Sequence, residues 1–169
     1  MRLPCDFHKE AQRIMKKRHQ LIAPVSGRTM ALGQVPDPIF SEKLTGDGIA
    51  ILAESAVVVA PCDGEITLFF ETNHAFAITT EEGVQVLVHV GLDTILMEGE
   101  GITALHKRGD HVKAGTPILE LDLDFMKRRH INLISPVLIV NYDKVVELHP
   151  HESGDEVEAG EDCVLEYAV

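Results

Sequence analysis

The chain has only three cysteines, Cys5, Cys62 and Cys163, odd in number and far apart. That pattern suggests neither a disulfide framework nor a CxxC metal site. No apolar run approaches the roughly 20 residues that a membrane-spanning helix needs; even the stretch at 49–60 is broken by Glu54. The first residues lack the apolar core of a secretion signal, so a cytosolic protein is expected. Cations are scarce: 15 Lys and Arg stand against 27 Asp and Glu, for a net charge of −12. This argues against nucleic acid as a partner, because phosphate backbones reward clustered positive charge. What is present is the composition of one soluble globular domain: 169 residues, 45% hydrophobic and 25% charged.

The charge is unevenly spread. Residues 1–20 hold six basic residues (Arg2, Lys9, Arg13, Lys16, Lys17, Arg18) and two acidic ones (Asp6, Glu10), a net of +4. The rest of the chain therefore carries −16. Phe7, Ala11, Ile14 and Met15 recur at helical spacing, with Asp6 placed as an N-cap. Two readings stay open for this segment: a docked or frayed terminal helix, or a basic amphipathic helix resting weakly on an anionic membrane face. The composition changes near Gln20–Leu21, which divides the chain into residues 1–20 and 21–169.

From Leu21 onward the pattern is all-β. Short runs rich in Val and Ile, at 49–52, 57–60, 84–90, 118–121 and 138–140, alternate with Gly, Pro and Asp. One short helix is expected at 122–130, capped by Asp122 or Asp124. Three fragments share an apolar or small pair followed by proline: Ile22-Ala23-Pro24, Val59-Ala60-Pro61 and Ile134-Ser135-Pro136. GDHVKAGTPILE at 109–120 returns as GDEVEAGEDCVLE at 154–166 with one insertion. These repeats predict internal pseudo-symmetry in an antiparallel β-sandwich or barrel-like roll, with the GDxVxAG pieces serving as structural turns.

The stretch 71–94, ETNHAFAITTEEGVQVLVHVGLDT, reads as two strands joined at Glu81-Glu82-Gly83. A hairpin symmetric about the Glu81–Glu82 bond places His74 opposite His89, where opposed side chains stand about 5 Å apart. A slip of one residue would turn one ring to the other face. Three readings of the pair are open: unrelated surface imidazoles, a metal site that two histidines leave short of four ligands, or phosphoryl transfer through a histidine. In the last, a neutral imidazole with one nitrogen held by a carbonyl attacks phosphorus with the other, while the second ring stabilises the added charge. His89 runs into Val90-Gly91, a strand end at which a ring meets a local carbonyl. No Walker-type loop appears, so a nucleotide is not the obvious phosphoryl source.

TNHAF at 72–76, HVGLDT at 89–94 and VPDPIFSEKLTGDGIAI at 35–51 resemble motifs of the glucose-family enzyme IIA of the bacterial phosphoenolpyruvate-dependent sugar phosphotransferase system. The resemblance runs from Leu21 to about Tyr167. It implies a β-sandwich of the duplicated hybrid motif type, with a shallow apolar face around the histidines. It makes His89 the residue phosphorylated at Nε2, His74 its stabilising neighbour, Thr72 the hydroxyl orienting His74, and Gly91 the carbonyl holding Nδ1–H of His89. Asp37 and Asp93 match acidic positions flanking the pocket, and Phe40, Leu44, Phe70 and Phe76 are candidate members of the docking face. The donor would be the histidine-containing phosphocarrier protein and the acceptor a cysteine in the IIB domain of a sugar permease, bound in trans. No cofactor is expected in isolation; His74 and His89 are candidate ligands only for a zinc shared with a partner protein.

The N-terminal segment matches no motif of that family. Three other functions fit some of the same residues. A LytM-like zinc hydrolase would use H-x-x-x-D at His89–Asp93 with H-x-H at His149–His151, although Pro150 interrupts the second motif. A biotinyl or lipoyl carrier would need an acceptor lysine at a hairpin tip, and the Met-Lys of the β region, Met126-Lys127, falls in the expected helix. A regulatory module would use the same face, with phosphorylation at His89 switching which partners bind.

Overall fold

The computed structural model describes residues 16–169. The expected N-terminal helix falls on residues mostly outside that range. Strands occupy β1 Arg18–Ile22, β2 Gly27–Ala31, β3 Asp47–Ala53, β4 Val57–Val59, β5 Gly64–Phe69, β6 Ala75–Thr79 and β7 Gln85–His89. They continue as β8 Ile102–Ala104, β9 His111–Val112, β10 Pro117–Leu121, β11 Ile134–Ile139, β12 Glu147–Pro150, β13 Glu156–Val157 and β14 Cys163–Ala168. Strand β1 begins at Arg18, inside the segment set apart by composition.

One eight-stranded sheet runs in the order β13-β2-β3-β11-β7-β6-β5-β9, and two three-stranded sheets run β1-β14-β12 and β4-β10-β8. Every pairing is antiparallel. Ile49, Ile51, Phe76, Ile78, Val86 and Val88 on the large sheet pack with Leu21, Val58, Ile118 and Leu165 from the small ones to form the main core. A second cluster, including Val35, Phe40, Ala75, Ala77, Leu87 and Leu138, lies on the other face of the large sheet. The result is the expected sandwich, with that second face covered by the 32–41 segment.

The repeats are a structural pseudo-two-fold. Ile22 donates its N–H to the Pro61 carbonyl at 3.0 Å, and Val59 to the Pro24 carbonyl at 2.8 Å. Gly115 donates to the Ala60 carbonyl at 2.8 Å, as Gly160 does to the Ala23 carbonyl at 2.9 Å. The two GDxVxAG turns form β9 and β13, the opposite edges of the large sheet, where Val112 pairs with Gly64 and Val157 with Gly27. The Ile134-Ser135-Pro136 fragment does not join this symmetry; it forms part of central strand β11.

Two short α-helices occur among the described residues. The expected one is α2, Leu123–Arg128, with the Asp122 side chain accepting from the Phe125 N–H. The other, α1 Pro38–Ser41, was not anticipated: Asp37 caps it and Pro38 opens it, both favourable first-turn choices. The central hairpin differs from its expected register by one residue. Thr80 donates to the Val84 carbonyl, so the turn has three residues and Ala75, not His74, pairs with His89. Gly83 takes φ +83 to close it, the left-handed position that three-residue hairpin loops require.

Gly27 on β2 and Gly64 on β5 are the paired points at which those strands lie tight against β3 and β6. A Cβ there would lie 1.9 Å from the Leu52 carbonyl oxygen and 2.3 Å from the Thr79 carbonyl oxygen, respectively. Gly64→Ala is therefore expected to lower unfolding free energy by about 1–3 kcal/mol, read as a reduced midpoint in urea denaturation. A midpoint equal to the unsubstituted protein's would show that the β5–β6 pair tolerates a wider spacing.

Candidate functional site

His89 is the last residue of β7. The ladder from β11 to β7 ends at the Val137–Val88 pair, and the next β11 residue is Pro136, which has no N–H to donate. The chain is thereby released into the Gly91 turn, where φ is +71 and a Cβ would meet the Asn132 carbonyl oxygen at 2.8 Å. That turn is held at three points. The Gly91 N–H donates to Ser135 Oγ at 3.1 Å, and Ser135 Oγ donates to the Leu133 carbonyl at 2.9 Å. Leu92 N–H donates to the Asn132 carbonyl at 2.8 Å, and Thr94 Oγ1 to the Val90 carbonyl at 2.6 Å. The Gly91 carbonyl is left facing back, and it accepts from His89 Nδ1–H at 2.8 Å. A carbonyl can only accept, so the proton sits on Nδ1 and the lone pair of the neutral ring on Nε2.

His74 precedes β6 and follows Asn73, whose φ of +56 places it in the left-handed region. Lying outside the strand, it escapes the alternation that would send its ring away from His89. The rings meet despite the one-residue register difference, with centroids 5.0 Å apart and planes at 72°. Thr72 Oγ1 and His74 Nδ1 are hydrogen-bonded. His74 is only 3% exposed.

The frame around the pair is apolar. Phe40, carried on α1, sets its ring 5.0 Å from His89, and Phe70 sets its ring 4.8 Å from His74. Leu44 is 70% exposed and Phe70 38% exposed, which suits a surface that meets a partner. Phe76 does not belong with them. It pairs with Val88 and is wholly buried in the main core, because even-numbered residues of β6 point inward. Asp37 is occupied as the α1 cap, accepting from Ile39 N–H at 3.0 Å. Asp93 lies in the loop after His89 at φ +58.

Both imidazoles are held below their ordinary titration range. Burial lowers His74 to about 4, and His89 beside it pushes the same way. Burial also lowers His89, against opposing contributions from the Gly91 carbonyl, Asp37 and Asp93 in that order. The pair is therefore uncharged at neutral pH, with Nε2 of His89 unprotonated. Ser135, Thr94 and Asn132 were missed by sequence reasoning; the only signal for Ser135 was its place in the third small-Pro fragment.

Neither the zinc hydrolase nor the biotinyl or lipoyl carrier finds an assembled site among the described residues. Among the described residues, His89 and Asp93 form no three-donor metal cluster with His149 or His151. Lys127 is within α2 rather than at a hairpin tip. Residues 19–145 match the family described as phosphoenolpyruvate-dependent sugar phosphotransferase system, EIIA 1. The glucose-specific EIIA component of Borreliella burgdorferi is 45% identical over 140 residues, covering 83% of this chain and 71% of that protein. The N-acetylglucosamine-specific EIICBA component of Escherichia coli is 44% identical over 124 residues, but the chain spans only 19% of its length. The glucose permease IIA of Mycoplasma capricolum superposes with a TM-score of 0.82 at 33% identity, covering 89% of this chain and 96% of that one.

Fold and site thus define a protein of the phosphotransfer class. The chain belongs to the EIIA 1 family of the phosphoenolpyruvate-dependent sugar phosphotransferase system, as its motifs indicated, and functions as a phosphocarrier in sugar uptake.

Two outcomes follow from this geometry. Ser135→Ala strips the Gly91 N–H of its acceptor, so nitrogen NMR is expected to show His89 shifting from a single Nδ1–H tautomer to a mixture; an unchanged tautomer would remove Ser135 from the positioning chain. The second concerns pH. An unfolded imidazole titrates near 6.5, while folded His74 stays neutral to about 4. Within that window the unfolded state binds the proton and the folded state does not, so stability falls as pH falls. Between pH 7 and pH 5, His74→Gln should lose less unfolding free energy than the unsubstituted protein, by up to about 2 kcal/mol in paired denaturation curves.

Proposed function

We propose that His89 Nε2 is the seat of the phosphoryl group in transit. Its lone pair attacks the phosphorus of a phosphohistidine on the histidine-containing phosphocarrier protein. The donor N–P bond breaks as the new one forms, and the donor nitrogen keeps the electron pair. A cysteine thiolate of a permease IIB domain then attacks the same phosphorus, and the bond to His89 breaks. Nδ1–H of His89 remains on the Gly91 carbonyl throughout, so the transfer needs no proton from this ring.

The observation that carries this reading is the 2.8 Å bond from His89 Nδ1 to the Gly91 carbonyl, which aims the lone pair away from the turn. His74 is assigned the stabilising role. With the Thr72 hydroxyl donating to its Nδ1, its Nε2–H is the donor available to phosphoryl oxygens. Because both rings start neutral, the site gains roughly −1.5 to −2 charges on loading. The carboxylates of Asp37 and Asp93 disfavour that charge, which makes the adduct quick to leave and suits a relay rather than a store.

We assign the carrier unit to residues 21–169, with β1 reaching back to Arg18, and place it in the cytoplasm. Leu44 and Phe70 form the exposed docking face offered in turn to donor and acceptor, with Phe40, buried, packed against His89 behind it. The relatives named EIICBA join A to B and C in a single chain, which supports a IIB domain as the acceptor. A contact between residues 1–20 and the membrane concerns mostly residues outside those described.

Incubation with phosphoenolpyruvate and the two general carrier proteins, followed by intact mass measurement at neutral pH, tests this reading. One acid-labile phosphoryl adduct is expected, absent from His89→Gln. His74→Gln should still load but deliver to IIB at least about tenfold more slowly, as loss of a charge-stabilising donor does elsewhere. Normal delivery by His74→Gln would refute the role given to that ring.

A further inference from the structure

The outer face of the β1-β14-β12 sheet carries a donor cluster unconnected with His89. Its origin is a bulge in β14. Along β1, Leu21 pairs with Leu165 and Ile22 with Cys163, so Val164 is skipped. Val164 turns into the core and is wholly buried, while Cys163 and Glu166 are both half-buried. The extra residue brings positions 163 and 166, which regular alternation would send to opposite faces, onto the same side. The chain leaving β12 supplies the third donor. His151 donates its backbone N–H to the Val164 carbonyl at 2.9 Å, which seats it across from the bulge. The imidazole nitrogen, the thiol sulfur and a carboxylate oxygen of these residues lie within 4.8 Å of one another.

We propose that His151, Cys163 and Glu166 bind a divalent transition metal of the zinc type, with water in the fourth position. The donor set decides the class. Calcium and magnesium take oxygen ligands, whereas one sulfur, one nitrogen and one oxygen suit a borderline-soft tetrahedral ion. Tetrahedral zinc needs donors roughly 3.3–3.8 Å apart, from bond lengths of about 2.0–2.3 Å. The remaining closure falls to a rotation of the His151 side chain, which is exposed.

The surroundings agree with this assignment. Gln20 Nε2 donates to Glu166 Oε1 at 3.2 Å, which orients the carboxylate and leaves its other oxygen for the ion. Cys163 Sγ makes only a long contact, 3.5 Å to the Leu165 carbonyl, which a metal would replace. His149 stands opposite Glu166 in register but lies with Nε2 3.6 Å from Glu147 Oε2, so it is engaged elsewhere. On binding, the thiol gives its proton to solvent as the sulfur–metal bond forms, while neutral imidazole and carboxylate donate lone pairs without proton loss. The ion would close the loop from 151 to 163, which contains the second GDxVxAG turn and edge strand β13, and so tie down one end of the large sheet.

Cobalt(II) titration of the full chain tests this, because a thiolate-to-cobalt absorption band reports sulfur ligation and cannot arise from the His74–His89 pair. One equivalent should produce the band, and zinc should displace it. Cys163→Ser should abolish it, His151→Gln should weaken cobalt binding by at least about tenfold, and Cys5→Ser should leave it unchanged. Both site variants should load phosphoryl groups normally, which also verifies that they fold. If Cys163→Ser fails to fold, the exposed His151→Gln decides alone. No band in the unsubstituted chain, a band surviving Cys163→Ser, or a band indifferent to His151→Gln would overturn the proposal.

Discussion

A neutral imidazole has one nitrogen that can attack and one that cannot, and which is which depends on where its proton rests. In this protein the decision is made by the bond from His89 Nδ1–H to the Gly91 carbonyl. Much of the local structure exists to hold that carbonyl still. Pro136 ends the β7 ladder, Gly91 accepts a backbone conformation closed to larger residues, and Ser135 accepts the Gly91 N–H from beneath. A hydroxyl two hydrogen bonds away from the ring thereby takes part in aiming the nitrogen proposed to react. Burial then keeps both rings uncharged, so the aimed lone pair is present at neutral pH.

The frame and the site are built by different means. Pseudo-symmetry builds the frame: two matched proline corners, two matched glycine turns and two matched edge strands enclose the core. Asymmetry builds the site. Helix α1 has no counterpart in the repeat and brings Phe40 against His89, while the Asp37 that caps it also sets a negative charge near the ring. A carboxylate that stabilises the helix start is thus the same group proposed to hasten departure of the phosphoryl group. Stability and turnover share one residue there, and Asp37→Asn would separate the two, since asparagine caps about as well without the charge.

Much of this was legible in the residues. Alternating Val and Ile runs between turn signals marked the strands, the GDxVxAG repeat marked the symmetry, and the paired motifs marked His74 and His89. What failed did so for local reasons. The hairpin register was off by one because the choice between a two- and a three-residue loop rests on Gly83 adopting positive φ, which Glu-Glu-Gly does not dictate. Phe76 was placed on the docking face because hydrophobicity cannot say which face of a strand a residue takes until the register is known. Helix α1, only four residues long, is too short to show a period, although Asp37-Pro38 carried its capping signal. Ser135 was hidden because its bond to Gly91 spans 44 positions.

The central claim concerns one atom, and nitrogen–phosphorus NMR on the phosphorylated, nitrogen-15-labelled protein observes it directly. The account predicts phosphorus coupled to Nε2 of residue 89, with Nδ1 of the same ring still protonated. Phosphorus on Nδ1 of His89, or on either nitrogen of His74, would contradict it.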